Sequence, residues 1–201
     1  QWPVTCKQVQ FYNGGNAGVQ EGQATTTGYM LFKRFNRSIS KTSPGVASQN
    51  RPSIIFRLAD FYLIYAEVAN EVNPSDSRVL TYLNLVRERA GLPKVEILNP
   101  GIVGNKELQR AAIQRERQIE LATEGQRYFD VRRWMIADKD GEGRQNGYAH
   151  GMNVRGTIND TEEFNRVVET EKIVFNRKMY LQPIPDHEMR KTQNLVQNPG
   201  W

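Results

Sequence analysis

The fold is decided by residues 105–138, which read NKELQRAAIQRERQIELATEGQRYFDVRRWMIAD. Asn105 is a suitable N-cap for a helix over residues 106–124, whose first turn contains an acidic residue that the helix dipole favours. Gly125 breaks this helix, and residues 126–138 form the next one. The pair spans 34 residues, which is the period of tetratricopeptide helical hairpins.

A hairpin of similar size is predicted immediately upstream. Apolar side chains recur every three or four positions through residues 54–72, which is typical of a helix of about 19 residues. Asn73-Pro74 ends this helix and begins a second one, which Gly91 ends. Because the linker between them is short, the two helices form an antiparallel hairpin. The sequence therefore predicts an all-α fold of tetratricopeptide-like helical hairpins with long irregular loops.

The rest of the chain is predicted to be mostly irregular. Residues 1–52 form a loop-rich segment, a candidate part of a ligand-binding face, with one short strand within residues 28–35. Residues 138–171 are polar and glycine-rich, which predicts a long loop. Residues 172–181 favour a strand, and a short helix is expected from Asp186. The predicted domains are residues 1–52 and residues 53–201.

Composition excludes several classes of protein. Hydrophobic residues make up 38% and charged residues 24% of the 201 residues, as in globular chains with a core. No run approaches the roughly 18 apolar residues of a transmembrane helix. Cys6 is the single cysteine, so an internal disulfide and a cysteine-rich zinc site are excluded. The start at Gln1 has neither an initiator Met nor a signal peptide, as expected for a mature product or a piece of a longer chain.

Charged residues within the predicted helices are expected to neutralise one another. The chain has 27 basic and 22 acidic residues, a net charge of +5, which would suit nucleic acid only if the charge lay on one face. Instead, arginines and carboxylates alternate through the third and fourth helices, and acids also interrupt the apolar first helix. Buried charges need partners. We therefore predict a structural ion-pair lattice and no nucleic-acid binding; its members are Arg57, Asp60, Glu67, Arg115, Glu116, Arg117, Glu120, Arg127, Asp130 and Arg133.

Several ordered blocks resemble the SusD/RagB family. They are RLADFYLIYAE at residues 57–67, YLNLVRERAGL at 82–92, IQRERQIELATEGQRYFDVRRW at 113–134, YLQPIP at 180–185 and QNPGW at 197–201. Two departures are mild: Asp60 stands where glutamate is commoner, and Trp201 where tyrosine is. The resemblance covers the C-terminal portion of a family member, because complete members are much longer.

The resemblance implies a surface protein of Bacteroidetes that binds a nutrient without catalysis. Family members are lipid-anchored on the extracellular face of the outer membrane and pass glycans or other nutrients to a TonB-dependent SusC-like transporter. An oligo- or polysaccharide ligand is therefore expected, without any cofactor. The signal peptide, the lipidated cysteine and further helical hairpins of complete members lie outside these residues. Helices of this piece alone are expected to leave apolar faces open, which would make it marginally stable.

Aromatic and amide side chains in the loops are the candidate ligand-binding residues. Flat aromatic rings stack on sugars, and amides at their edge supply hydrogen bonds. Each candidate could instead pack against the helical body, and the family blocks identify the scaffold, not the ligand site. The candidates are Trp2, Tyr12, Asn13, Tyr29 and Tyr148.

Catalytic and metal chemistry receive little support from the sequence. Glu162 and Glu163 lie in a polar loop that offers no apolar surroundings to raise a carboxyl pKa, so no catalytic residue is predicted. Residues 138–143, DKDGEG, imitate the start of a calcium loop, but the twelfth position is Ala149 instead of an acid. No metal site is predicted. The alternative from another class is a tetratricopeptide-like module that binds a peptide or protein.

Overall fold

The structure is a computed structural model that describes residues 54–139, 146–153 and 166–201, together with positions 29, 31 and 33. It contains a helical unit, Arg51–Met135, and a second unit that includes Ile136–Trp201. The two units are described separately below. Most of the predicted loop-rich segment, including the strand predicted within residues 28–35, lies outside the described residues, and the boundary at residue 52 stays a prediction.

The first hairpin consists of helices α1, Leu58–Val72, and α2, Ser77–Arg89. The predicted start of α1 at residue 54 is wrong, because Arg57 has an extended backbone at the N-cap. The predicted start of α2 at Asn73-Pro74, with Asn73 as its N-cap, is also wrong, because α2 begins at Ser77. The Asp76 side chain caps α2 by accepting from the Arg78 amide at 2.9 Å. Gly91 follows the end of α2 with a φ of +76°, as expected of a helix-ending glycine.

The second hairpin consists of α4, Lys106–Glu120, and α5, Gln126–Arg133. A short helix α3, Val95–Leu98, and a 3-10 turn, Pro100–Ile102, connect it to the first hairpin. The predicted N-cap is confirmed, since Asn105 Oδ1 accepts from the Leu108 amide at 3.2 Å. Both helices end before their predicted limits, residues 124 and 138.

Tertiary contacts and backbone conformation explain these early ends. The Arg57 guanidinium donates to the Glu120 carbonyl at 2.6 Å, which satisfies one of the carbonyls that a helix end leaves free. Thr123 and Gly125 then adopt positive φ, and Met135 does so after α5. The all-α architecture of packed hairpins is confirmed.

The core of the helical unit lies where α1 contacts α2 and α4. Its fully buried centre includes Leu63 and Ala66 from α1, Val79 and Leu83 from α2, and Ile113 from α4. Deep packing of this kind supplies most of the stability of such helices. The opposite face of α1 remains exposed.

The second unit contains a β-hairpin that the sequence analysis did not predict. Strand β1, Gly147–Met152, pairs antiparallel with β2, Arg166–Ile173, and the register shifts between Tyr148 and His150. The prediction of one long loop over residues 138–171 is therefore wrong for the strand residues.

The predicted strand over residues 172–181 is also wrong beyond Ile173. A 3-10 turn, Arg177–Tyr180, follows, and its N-cap is Asn176. The short helix expected from Asp186 is confirmed as α6, Asp186–Met189.

The end of the chain is bonded to the segment around α6. The Gln197 side chain accepts from the Ile184 amide at 2.8 Å and donates to the Ile184 carbonyl at 2.9 Å. Trp201 Nε1 donates to the carbonyls of Lys178, at 3.1 Å, and Leu181, at 3.0 Å. The blocks at residues 180–185 and 197–201 thus form one local structure.

Candidate functional site

Arg117 lies at the centre of the buried charges of the helical unit. Its Nε and Nη2 donate to the two carboxylate oxygens of Asp130 at 2.9 and 3.1 Å, and its Nη1 donates to Asp60 at 2.9 Å. All three residues are at least 95% buried. Because isolated buried charges are strongly unfavourable, this geometry holds α1, α4 and α5 in one arrangement.

Arg133 extends this cluster towards the surface. It donates to Asp130 at 2.9 Å and to Glu67 of α1 at 2.7 Å. Trp134 Nε1 also donates to Glu67, at 2.6 Å, and its ring lies 4.6 Å from the Arg133 guanidinium. Trp134 therefore has a structural role here.

Arg57 connects the start of α1 to the end of α4. Its guanidinium donates to Glu120 at 2.5 Å and to Glu124 at 2.7 Å. Burial disfavours the charged form of Arg57, but the hydrogen bonds to Glu124 and Glu120 outweigh burial and raise its pKa. Arg89 of α2 also donates to Glu120, at 2.6 Å. Glu120 is thus shared by two arginines.

One expected lattice member lacks an ion pair within the described residues, and one arginine of the lattice was missed. Arg115 is exposed, and no ion pair joins it to another described residue, so its place in the lattice stays a prediction. Arg127 lies 5.8 Å from the Trp134 ring. Arg87, which sequence reasoning did not include, binds Glu116 at 2.9 Å and the Pro93 carbonyl at 3.1 Å. The family block at residues 82–92 was the signal that could have identified it.

These contacts join the helices of the unit into one frame. The buried carboxylates of Asp60, Glu116 and Asp130 each accept from an arginine. The arginines in these pairs bind carboxylates of the same unit. They do not form a row of exposed positive charges that could bind the phosphates of a nucleic acid.

One exposed face of the β-hairpin holds the ligand candidate Tyr148. Tyr148 and His150 alternate with the half-buried Ala149, so both project from the same exposed face. Lys172 is the cross-strand partner of Tyr148 and is also exposed. Cross-strand partners project from the same face of a sheet. The face therefore combines an aromatic ring with two polar groups.

Tyr29 is the one other ligand candidate that lies within the described residues. Tyr29 is exposed, and among the described residues no ring contact joins it to Tyr148. Trp2, Tyr12 and Asn13 lie outside the described residues. Sequence reasoning did not pair His150 and Lys172 with Tyr148, because it predicted a loop here; alternation through residues 147–152 was the available signal.

The first carboxylate of the calcium-like pattern, that of Asp138, forms a hydrogen bond within the protein. Asp138 accepts a hydrogen bond from the Tyr180 hydroxyl at 2.5 Å, and this bond lowers the pKa of Asp138. The Tyr180 pKa is raised, by burial first and then by the same bond. Within the described ranges, no group of three or more His, Cys, Asp or Glu side chains could hold a metal ion. Positions 140–145 of the pattern lie outside those ranges.

Within the described residues, no helix combines the length and the hydropathy that a membrane span requires.

Comparison with protein families gives one match across nearly the whole chain. The model of the SusD family matches residues 4–201. SusD-like protein P25 of Formosa agariphila is 44% identical over 106 residues, which cover 53% of this chain and 19% of the relative. SusD-like protein P2 of the same organism is 31% identical over 153 residues, which cover 74% of this chain and 26% of the relative.

Solved structures show the same kinship. BT4246 is 34% identical, with a TM-score of 0.61 over 76% of this chain and 25% of that chain. A SusD-like protein from Bacteroides fragilis is 31% identical, with a TM-score of 0.59 over 74% of this chain and 26% of that chain. The chain thus spans about a fifth to a quarter of the length of the relatives it matches.

Proposed function

Because the chain belongs to the SusD family, we propose that it is part of a cell-surface protein that binds a nutrient glycan. The protein passes this ligand to a TonB-dependent SusC-like transporter. It is held on the extracellular face of the outer membrane by a lipid anchor, as in the family it resembles. The observation that carries the proposal is the family match over residues 4–201.

The helical unit acts in this function as a rigid support. Its charged groups are joined in ion pairs across α1, α4 and α5, which fixes the relative positions of these helices. A glycosidase would need one carboxylic acid free to donate a proton to the leaving group. The buried carboxylates of this unit are engaged with arginines instead. Capture of the ligand without bond cleavage is therefore the proposed activity.

Tyr148 is the described residue with the best chemistry for a sugar contact. Tyr148 is 55% exposed, and the exposed residues beside it, His150 and Lys172, can supply hydrogen bonds to sugar hydroxyls. Small-molecule sites combine aromatic rings with a small number of polar groups that fix the orientation of the ligand. Trp2, Tyr12, Asn13 and Tyr29 complete the proposed set of ligand residues.

Affinity electrophoresis in gels that contain single polysaccharides tests this proposal. We expect at least one polysaccharide to retard the protein, and Tyr148→Ala to remove a large part of the retardation. Phe129→Ala is the matched control, because Phe129 is a similarly exposed aromatic residue on α5 of the helical unit. Loss of retardation in both variants, or in neither, would contradict a specific role for Tyr148.

The same experiment distinguishes the alternative interaction module. If no polysaccharide of a broad panel retards the protein, and a protein partner co-purifies with it through the helical unit, the interaction module is favoured. Release of reducing sugar during incubation would overturn the non-catalytic assignment.

A further inference from the structure

Two buried side-chain amides lie where the end of α1 faces the start of α4. Asn70 of α1 and Gln109 of α4 are both fully shielded from solvent. The amide nitrogen of Asn70 donates to the Lys106 carbonyl at 3.0 Å. The amide nitrogen of Gln109 donates to the carbonyls of Pro74, at 3.1 Å, and Ile102, at 3.0 Å. These bonds join the first hairpin to the second and to the segment that connects them.

The oxygen atom of each amide lacks a donor within the part of the chain that the structure describes. Asn70 Oδ1 and Gln109 Oε1 are buried, and no N–H or O–H group of the described residues donates to either. Rotation of the amide by half a turn does not supply one, because it would place the side-chain oxygen against a carbonyl, which only accepts. The carbonyls that the two nitrogens meet therefore fix the orientation of both amides.

Burial removes the hydrogen bonds that water gives to such an oxygen, so buried polar atoms in folded proteins nearly always have another partner. Asn84 of α2 shows this ordinary situation in the same unit. Its amide nitrogen donates to Glu96 at 2.8 Å, and its oxygen accepts from the Val95 amide at 3.0 Å. The oxygens of Asn70 and Gln109 need a donor of a different origin.

The two amides lie side by side between the same chain segments. Asn70 meets Lys106, which lies about one helical turn before Gln109 on the same side of α4. Gln109 in turn meets Pro74, which lies about one turn after Asn70. Both unsatisfied oxygens therefore belong to one polar place inside the helical unit.

We propose that a buried water molecule binds at this place and donates one hydrogen bond to Asn70 Oδ1 and one to Gln109 Oε1. Water combines two donors in one small molecule, and buried waters in proteins bind polar groups that the chain itself does not satisfy. A metal cation is less suitable, because the first turn of α4 presents the positive end of the helix dipole. The bound water links the two hairpins. This proposal rests on the fold of the helical unit and not on the glycan-binding function.

Nuclear Overhauser spectroscopy of the 201-residue chain detects such a water directly. We expect cross-peaks between the water resonance and the side-chain methylene protons of Asn70 and Gln109, with the sign of a water that stays bound for longer than the protein takes to tumble. The methylene protons of Asn84 should give none, because its amide is satisfied within the protein. Absence of the cross-peaks at Asn70 and Gln109, or equal cross-peaks at Asn84, overturns the proposal.

Magnetic relaxation dispersion of the solvent counts the long-lived waters in variants of the chain. Gln109→Met keeps the length of the side chain and removes its amide, and Asn84→Leu is the matched control. We expect Gln109→Met to lose the dispersion amplitude of one water, and Asn84→Leu to keep the amplitude of the parent. An unchanged amplitude in Gln109→Met, or the same loss in Asn84→Leu, overturns the proposal.

The cross-peaks of the parent chain decide the question if Gln109→Met does not fold. Neither measurement involves a glycan, so its outcome is independent of the affinity electrophoresis that tests the proposed function. The two proposals therefore fail separately.

Discussion

Arg117 and Asp130 form a bidentate ion pair that is almost completely buried, with donor–acceptor distances of 2.9 and 3.1 Å. The pair joins α4 to α5 across the turn at Gly125, which has a φ of +84°. The remaining amino group of Arg117 binds Asp60 of α1. A single arginine therefore fixes the relative positions of three helices, and its fork-like geometry suits two carboxylates at once.

Removal of this arginine should strongly destabilise the helical unit. Arg117→Met keeps most of the side-chain volume but leaves Asp60 and Asp130 buried without a counter-charge, so we expect a loss of about 3–5 kcal/mol in the free energy of unfolding. Urea denaturation followed by circular dichroism measures this loss.

The exposed Arg115 offers the matched control for this substitution. Arg115→Met lies on the same helix, and its effect should stay within about 0.5 kcal/mol. A triple variant that also replaces Asp60 and Asp130 by leucine should recover much of the stability lost in Arg117→Met. Similar losses for Arg115→Met and Arg117→Met would show that burial of the pair is energetically unimportant.

The sequence predicted the helices well and their ends poorly, for a physical reason. Periodicity and an N-cap such as Asn105 are local properties, and they indicate that a helix forms and, for α4, where it begins. The end of α4 at Glu120 depends on Arg57, which lies 63 residues away and donates to the Glu120 carbonyl. A local sequence pattern carries no information about contacts between residues that are so far apart in sequence.

The candidate site was harder to predict than the frame. The family blocks specify the helical frame, whereas Tyr148 lies in a glycine-rich segment without a run of apolar residues. Its neighbours His150 and Lys172 become apparent only when β1 pairs with β2, which sets the cross-strand register. The pairing partner is some twenty residues distant in sequence, so neither strand alone shows which residues lie beside Tyr148.

Low pH should selectively weaken the contribution that Glu71 on α1 makes to the stability of the folded state. Arg110 donates two hydrogen bonds to its carboxylate, at 2.6 and 2.8 Å, and this contact lowers the pKa of Glu71 to about 2. Because the pKa is lower in the folded state than in the unfolded state, the stabilisation is present above the ordinary value of about 4.5 and is lost as pH falls towards 2.

We therefore expect Glu71→Gln to lower the midpoint of thermal unfolding at pH 7, and the difference from the parent to shrink as the pH is lowered to 3. The pair is partly exposed, so its effect should not exceed about 1 kcal/mol. Carbon NMR of the Glu71 carboxyl gives a direct reading, and Arg110→Met should move the pKa of Glu71 towards its ordinary value. A pH-independent difference between Glu71→Gln and the parent would contradict this account.

Tyr180 should stabilise the base of the β-hairpin through its hydroxyl. The hydroxyl accepts from the Asp138 amide at 3.1 Å and donates to the Asp138 carboxylate, while the ring lies 4.9 Å from that of Phe175. Tyr180→Phe retains the ring contact and removes both hydrogen bonds. We expect the Asp138 amide to exchange with deuterium at least about ten-fold faster and the pKa of Asp138 to rise, both measured by NMR.

A second substitution separates the hydroxyl from the ring. Phe175→Leu removes the aromatic contact but leaves the hydroxyl of Tyr180 in place, so exchange at Asp138 should increase less. Unchanged exchange at Asp138 in Tyr180→Phe would mean that the hydroxyl contributes nothing to the hairpin base.

Gly200 should be essential for the docking of Trp201. Gly200 has a φ of +89°, and a Cβ added there would lie 2.9 Å from the Lys178 Cβ. An alanine is therefore both strained in its backbone and in steric conflict with a neighbour that cannot easily move. Lys178 also places its ammonium 4.3 Å from the Trp201 ring, so any shift at Gly200 disrupts the contacts around the indole.

We expect Gly200→Ala to accelerate exchange of the Trp201 indole proton by at least about ten-fold, measured by NMR. Gly91→Ala is the matched control, because Gly91 also has a positive φ, +76°, but an added Cβ would meet nothing within 4 Å. That variant bears only the left-handed backbone penalty of about 1–2 kcal/mol, and it should leave the Trp201 indole protected. If Gly200→Ala and Gly91→Ala have the same effect on the indole proton, the close approach of Gly200 to Lys178 does not hold the end of the chain.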